Sequence, residues 1–421
     1  MPSPILNRIS KLDKILILGF AREGRSTYNF LHTRFPRLKI ETADQKDGPD
    51  YLKHLQDYKL IIKTPGISPH KTEIEKAREE GVIFTSHTQI FFEVCPCQKI
   101  IGVTGTKGKS TTVSLIHHVL ETHKIRSVLV GNIGRPALDF LPEIDKETWV
   151  VMELSSYQLM DLTVSPHIAV LQNIYRDHLD YHKSFAEYVE AKRNIARFQS
   201  RDDYFIYNND FPLPAQTAEL TPARKLPFSL LDYDRQISTQ LLGNHNKYNI
   251  LPAIKIAGIL NLPKDTLYRS IASFKPLETR LDLVGTKKGI RFYADTLATI
   301  PEATIAAIEA LAPDIETLIA GGHERKQDYS LLAGKILDSH IKTLIVFPAT
   351  GPRIQKEIEK LETRPKISCF YPKSMSEAVK LADKHTSVGK ICLLSPAAPS
   401  FTLFKDYRDE YEQYKQAIDS L

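Results

Sequence analysis

Short apolar runs alternate with amphipathic stretches along most of the chain. Lys14-Ile-Leu-Ile-Leu-Gly19 carries an unbroken apolar row, Ile15–Leu18, and ends on a glycine; Leu38–Thr42 and Leu60–Lys63 follow, with a helical pattern over Ser26–Thr33. Runs this short and this uniformly apolar read as strands covered on both faces. Strands alternating with helices imply a parallel sheet. A second series begins at Lys99–Val103 and continues through Val128–Val130, Trp149–Met152, Ile168–Leu171 and Tyr204–Tyr207. Within it, Val113, Ile116, His117 and Leu120 share one face of a helix spanning Ser110–Thr122. A third series contains Arg291–Ala294, Thr317–Ala320, Thr343–Phe347 and Lys390–Leu394. No short-period repeat is present. The class is α/β, and 421 residues exceed one ordinary core. The pattern divides into three expected domains, residues 1–97, 98–276 and 277–421.

One helix breaks its own pattern. Ser184 and Glu187 form an S-x-x-E capping box, and Phe185, Tyr188, Val189, Ile195 and Ala196 mark the apolar face behind it. Lys192 falls on that stripe. An inward ammonium must be paired, neutralised or modified, unless the stem packs and the head reaches water.

Composition narrows the class without naming it. Apolar residues make up 42% and charged residues 25%, as in a globular protein. The net charge of +6 suits anionic ligands and equally suits a solvated lysine-rich surface. No nucleic-acid partner is expected. Cys95, Cys97, Cys369 and Cys392 have neither zinc spacing nor the density of a disulfide scaffold, which points to a reducing compartment. The apolar run Ile15–Phe20 is too short for a membrane span or a signal core, so a soluble, cytoplasmic protein without membrane insertion is expected.

Chemistry concentrates after the strand Lys99–Val103. Thr104-Gly-Thr-Lys-Gly-Lys-Ser-Thr-Thr112 is a glycine-rich turn opening a helix. Backbone N–H groups and the helix dipole make such a turn an anion site. Gly105, Thr106, Lys107, Gly108, Lys109, Ser110 and Thr111 would cradle the phosphates of ATP, with Lys109 on the β- and γ-phosphates and Ser110 or Thr111 toward magnesium. Val103 stands where the phosphate-loop pattern has its first glycine. Glu153 follows one strand and Asp177-His178 another, at the strand ends where open sheets bind ligands. These groups suit a hard cation bridging phosphate oxygens. Taken singly, Glu153 also reads as a helix-start carboxylate and His178 as a loop residue.

The ordered runs TGTKGKSTT, GNIGRPAL (Gly131–Leu138), ELSSYQL (Glu153–Leu159), NIYRDHLDYH (Asn173–His182) and GNHNKYN (Gly243–Asn249) resemble those of the Mur ligases of peptidoglycan synthesis. GNIG followed by ELSSYQL is most similar to the MurD type. The resemblance spans essentially the whole chain. It implies three domains: a Rossmann-like first domain for the UDP moiety, a central P-loop ATPase-like domain, and a Rossmann-like third domain for ADP and the amino acid. It implies an ATP- and Mg2+-dependent ligase, expected to be a monomer, that adds glutamate to UDP-N-acetylmuramoyl-L-alanine through an acyl phosphate. D-glutamate is the implied amino acid and L-glutamate the alternative. By the same resemblance, Lys109, Lys192 and His178 are catalytic; Ser110, Glu153, His178 and a carbamylated Lys192 serve the metal; and Asn249, Arg280 and Asp295 contact the nucleotide. Asn132, Ser155 and His178 meet the muramoyl substrate. Gly19, Arg22 and the turn Thr64-Pro65-Gly66 fit UDP.

The amino-acid pocket departs from the family pattern. Asp295-Thr-Leu-Ala-Thr299 stands where D-S-K-A-T is usual, so Leu297 replaces a lysine. Gly321-Gly-His-Glu-Arg325 stands where G-G-D-G-K is usual, and Arg325 offers a fork for a carboxylate. Thr296, Thr299, Ser400 and Tyr407 match the remaining glutamate positions. A folylpolyglutamate synthase-like ligase would begin near the phosphate loop. A non-catalytic nucleotide-binding regulator would not need Lys109, Glu153, His178 and Lys192. A P-loop kinase leaves GNHNKYN without a role.

Overall fold

The computed structural model of the chain describes residues 3–361 and 367–421. Two compact units emerge: Met1–Ser238 with Lys247–Ala272, and Thr239–Asn246 with Ser273–Leu421.

The first unit holds two sheets. In one, β1 (Lys14–Leu18), β2 (Lys39–Ala43), β3 (Leu60–Lys63) and β4 (Ile83–Thr85) lie parallel in the order β2-β1-β3-β4. The other contains β5 (Ile100–Thr104), β6 (Ser127–Gly131), β7 (Trp149–Glu153), β8 (Ile168–Leu171), β9 (Tyr204–Asn208) and β10 (Arg224–Phe228), in the order β10-β9-β8-β5-β7-β6. The uniformly apolar runs are inner strands of the two sheets; Ile17, Ile62, Ile101, Val151 and Val170 are wholly buried. β5 opens the second sheet in sequence yet lies inside it, between β8 and β7. The segments leaving its carboxyl end therefore face a crevice between diverging connections, where open α/β sheets take ligands.

The second unit holds β11 (Asp282–Lys287), β12 (Ile290–Ala294), β13 (Ile315–Ala320), β14 (Thr343–Val346), β15 (Ser368–Phe370) and β16 (Ile391–Leu394). Their order is β11-β12-β16-β13-β14-β15, and β11 pairs antiparallel to β12. Leu318 and Ala320 enter one apolar cluster and Ile319 the other, because successive strand side chains point to opposite faces. Both faces are thus covered by helices.

The helix expected over Ser26–Thr33 runs Arg22–Arg34, so it begins directly after the first glycine turn. Ser184 caps its helix as expected, accepting from Glu187 N–H. The Glu187 carboxylate, however, takes Lys183 N–H rather than closing the box on Ser184.

Lys63, at the end of β3, is buried and pairs with Asp161 at 3.0 Å while donating to Ile67 O. Removing one partner of a buried pair strands the other charge. Asp161→Ala is accordingly expected to lower unfolding free energy by about 3–5 kcal/mol in urea titration.

Candidate active site

The turn after β5 is held in shape by bonds within the chain. Thr106 N–H donates to both Asn173 O (2.8 Å) and Asn173 Oδ1 (3.1 Å), and Lys107 N–H donates to Asn173 Oδ1 at 2.9 Å. Asn173 Nδ2 returns a bond to Lys107 O, so one side chain clamps the loop on both sides. Thr106 Oγ1 meets Tyr188 OH at 2.9 Å. Gly108 begins the helix Lys109–Thr122 at φ +87°, and an added Cβ would lie 2.2 Å from Asn249 Oδ1. Asn249 itself is buried beside the loop. Lys109 Nζ folds back to Gly105 O (3.0 Å) and Thr106 O (3.1 Å). The loop thus closes around its own cation, at the end of a helix whose first-turn N–H groups have no intrahelical acceptor.

Glu153 ends β7 directly beside Val103 of β5. It is buried, and its two oxygens accept from different elements: Oε2 from Ser110 Oγ at 2.7 Å, Oε1 from Asn132 Nδ2 at 2.9 Å. Asn132 can reach it because Gly131 passes so close to β7 that a Cβ would lie 2.3 Å from Glu153 O. Of the two hydroxyls that sequence left open, Ser110 is the one bonded to Glu153.

Lys192 points inward, only 1% exposed. Its Nζ donates to Gly105 O at 2.9 Å and lies 4.8 Å from the centre of the Tyr188 ring. Burial, reinforced by the charge of Lys109, holds its ammonium well below the usual lysine range, against the pull of Asp177 and Glu153.

His178 adopts φ +55°, a left-handed backbone that costs energy for a residue with a Cβ. Such conformations persist where the surroundings enforce them. Here Tyr157 OH meets His178 Nδ1 at 2.6 Å, and Asp177 Oδ2 stands 3.8 Å from Nε2. Burial lowers the imidazole from its ordinary value, with Lys109 and Lys192 adding to the effect and Asp177 opposing it. Burial would raise Asp177, yet Lys107 at 3.6 Å, with His178 and Lys109, holds its carboxyl below the usual range. Among the described residues, no hydrogen bond joins His178 to Glu153 or Ser110.

Ser155 and Gln158 form a complete capping box on the helix Ser156–Met160. Gln158 Oε1 accepts from Ser155 N–H and Oγ, each at 3.0 Å, and Gln158 Nε2 donates to Glu23 Oε1 at 2.8 Å. Burial pushes the Glu23 carboxyl up to about 7 despite that bond. In the first sheet, Thr64 Oγ1 donates to Leu18 O at 3.2 Å, closing the turn that Pro65 and Gly66 continue next to Gly19. Arg22 Nη1 reaches Gly134 O at 3.4 Å. Phe20 N–H donates to Asp44 Oδ2 at 2.6 Å.

In the second unit, three segments leave the carboxyl ends of the neighbouring strands β12, β16 and β13. They carry Asp295–Thr299, Ser395–Ser400 and Gly321–Arg325. Thr296 is fully buried, with Oγ1 lacking a hydrogen-bond partner among the described residues. Gln327 Nε2 donates to Thr299 O at 3.0 Å. Ser400 Oγ donates to the buried Glu410 at 2.5 Å, and burial pushes that carboxyl up to about 8. Arg325 is exposed, and Arg408 Nε donates to Tyr407 OH at 3.2 Å. Arg280 lies between Thr279 (φ +69°) and Leu281 (φ +49°), its buried Nε without a hydrogen-bond partner among the described residues.

The geometry of the first unit fits a nucleoside triphosphate with a hard cation. Ser110 and Glu153 supply oxygen donors side by side at the loop. No group of three or more His, Cys, Asp or Glu side chains among the described residues could hold a metal by itself. A magnesium-like ion, which keeps waters and shares phosphate oxygens, needs no such group. Asn173, Gln158, Tyr157 and Glu23 escaped the sequence reading as individual contributors, although S-x-x-Q within ELSSYQL was a legible box. No described helix is long and apolar enough to cross a membrane.

Residues 103–234 match the Mur ligase middle domain. The UDP-N-acetylmuramoylalanine–D-glutamate ligase of Acetivibrio thermocellus is 34% identical over 402 residues, covering 89% of this chain and 85% of its own. Among solved structures, the UDP-N-acetylmuramate-alanine ligase MurC of Thermotoga maritima superposes with a TM-score of 0.62 at 18% identity, covering 97% of this chain and 99% of its own. The MurF ligase of Thermotoga maritima in complex with ADP gives 0.62 at 15% identity, covering 98% of this chain and 96% of its own.

Proposed function

Because the chain belongs to the Mur ligase family, on the branch of the UDP-N-acetylmuramoylalanine–D-glutamate ligases, we propose that it joins glutamate to UDP-N-acetylmuramoyl-L-alanine at the expense of ATP. The observation that carries this reading is the convergence of Lys109, Ser110, Glu153 and the buried Lys192 on one glycine turn.

The reaction runs in two transfers. A carboxylate oxygen of the alanyl group attacks the γ-phosphorus of ATP; the bond to the β-phosphate oxygen breaks, giving an acyl phosphate and ADP. The glutamate amine then adds to the acyl carbon, loses a proton, and inorganic phosphate leaves with the C–O bonding pair. Most of the barrier lies in bringing anions together, so positioning and charge screening dominate. Lys109 supplies a point charge within the turn. Ser110 and Glu153 would hold magnesium, which when bound screens the phosphate oxygens. Lys192, as the free amine that burial favours, would add to carbon dioxide and release a proton, becoming a carbamate that supports the same ion. Asn132, Ser155 and His178 would bind the muramoyl end, and Gly19, Arg22 and Thr64–Gly66 the uridine end. Arg280, Asp295 and Asn249 would hold the nucleotide, and Thr296, Thr299, Arg325, Ser400 and Tyr407 the glutamate. We further propose a division of labour among three domains, with each sheet as the frame of one.

The decisive assay supplies ATP, Mg2+, UDP-N-acetylmuramoyl-L-alanine and one glutamate enantiomer, and follows phosphate. Release dependent on the nucleotide-sugar and faster with D-glutamate is expected. Faster release with L-glutamate would locate the consequence of Leu297 in stereochemistry. No release with either enantiomer would overturn the reading.

A further inference from the structure

Ser155 and Glu23 belong to segments 132 positions apart in the chain, yet a single amide joins them. Gln158 Oε1 takes both bonds from Ser155, and its Nε2 gives one to Glu23. A carboxamide carries acceptors only on oxygen and donors only on nitrogen. Turning it over would set its NH2 against Ser155 N–H and its carbonyl against the Glu23 oxygen, so these bonds together fix one orientation. The Ser155 hydroxyl proton is thereby committed to Gln158. Its oxygen accepts one bond from Gln158 N–H at 3.2 Å and keeps one lone pair.

Glu23 is an unusual anchor for this arrangement. It comes from the helix Arg22–Arg34 that follows β1, and its Oε2 is buried with no hydrogen-bond partner among the described residues. Burying a carboxyl that is only half satisfied works against stability. An apolar side chain would serve packing better, so packing does not account for Glu23.

We propose that Glu23 is a positioning residue for the nucleotide-sugar: by holding Gln158 it makes Ser155 an acceptor, so the substrate group read there is a hydrogen-bond donor, an amide N–H or a sugar hydroxyl, rather than a phosphate or carboxylate oxygen. The inference rests on Ser155 contacting that substrate, as in the function proposed above.

Steady-state kinetics on the full chain test it. Glu23→Leu removes the acceptor that orients Gln158. It is expected to raise KM for UDP-N-acetylmuramoyl-L-alanine about tenfold, the loss of one good hydrogen bond, with KM for ATP within about twofold and thermal stability undiminished. Glu23→Gln keeps a carbonyl acceptor and is expected to restore KM to within about twofold of the parent. An unchanged nucleotide-sugar KM in Glu23→Leu, or an equal rise in both KM values, overturns the proposal. Should that variant fail to fold, Gln158→Leu removes the acceptor of Ser155 directly; the same selective rise supports the proposal, and an unchanged KM overturns it. A parent enzyme that turns over no nucleotide-sugar refutes the underlying function, and this inference with it. Turnover by the parent with indifferent variants refutes this inference alone.

Discussion

Lys109→Ala is expected to lower phosphate release by about 10²–10³-fold, the usual cost of deleting one preorganised charge from a transition state. The side chain stands four residues after Gly105, whose carbonyl it meets at 3.0 Å, together with Thr106 O at 3.1 Å. Within the turn it serves those carbonyl dipoles. With a triphosphate in the turn, the same short reach brings its charge to the phosphate oxygens. The fold does not depend on it, because Asn173 and Tyr188 hold the turn through Thr106 and Lys107. The thermal midpoint of the alanine variant should therefore lie close to the parent's while turnover collapses. Lys109→Arg should remain impaired, since a planar fork does not reproduce a compact ammonium inside a turn already crowded by Asn249. An alanine variant retaining more than about a tenth of parental turnover would remove Lys109 from the chemistry.

The inner strands were legible because burial on both faces leaves an uninterrupted apolar run, as in Ile15–Leu18 or Ile100–Val103. The strands that escaped, β4, β10, β11 and β15, all lie at sheet edges. Each blurs the pattern for the reason edges do. β10 reads Arg-Lys-Leu-Pro-Phe, with two cations and a proline that an inner strand would not tolerate. β11 pairs antiparallel, carries Gly285 at a register shift and is only partly covered. β4 and β15 span three residues each, too short for a period to appear.

At the site, residue type and place in the local pattern sufficed to single out Glu153, Lys109 and Lys192 as candidates, and the structure brings them to one turn. Those cues did not suffice for Asn173 or Glu23, whose roles come from contacts between distant segments. Asn173 lies 67 positions from Thr106 and Glu23 lies 135 from Gln158. An asparagine after a strand and a glutamate in a helix's first turn have ordinary local readings, and only the tertiary fold distinguishes them. The split of Ser184 and Glu187 makes the same point. The box was legible as a motif, but the Glu187 carboxylate is drawn toward His70 at 2.9 Å as well as to Lys183 N–H.

Lys192→Ala should abolish at least about 99% of turnover, and short carboxylic acids such as acetate should restore part of it. Nothing in packing calls for an ammonium in the buried face shared by Tyr188, Val189 and Ile195, and its hydrogen-bond acceptors are neutral: Gly105 O at 2.9 Å and Thr104 Oγ1 at 3.4 Å. Burial and Lys109 together depress its proton affinity, which favours the free amine, the form that adds to carbon dioxide. The product would exchange a misplaced cation for an anion facing Lys109 and the cation proposed for Ser110 and Glu153. Deleting the side chain leaves a space bordered by Tyr188 and the loop, where a small carboxylate can stand in for the carbamate. A purely structural lysine predicts the opposite pair of results. Alanine would lower stability, and added carboxylates would do nothing for turnover. Unchanged turnover in Lys192→Ala would exclude a role in the reaction altogether. Loss without rescue, paired with carbon-dioxide-independent activity of the parent, would leave Lys192 as the amine itself, acting on the loop through Gly105.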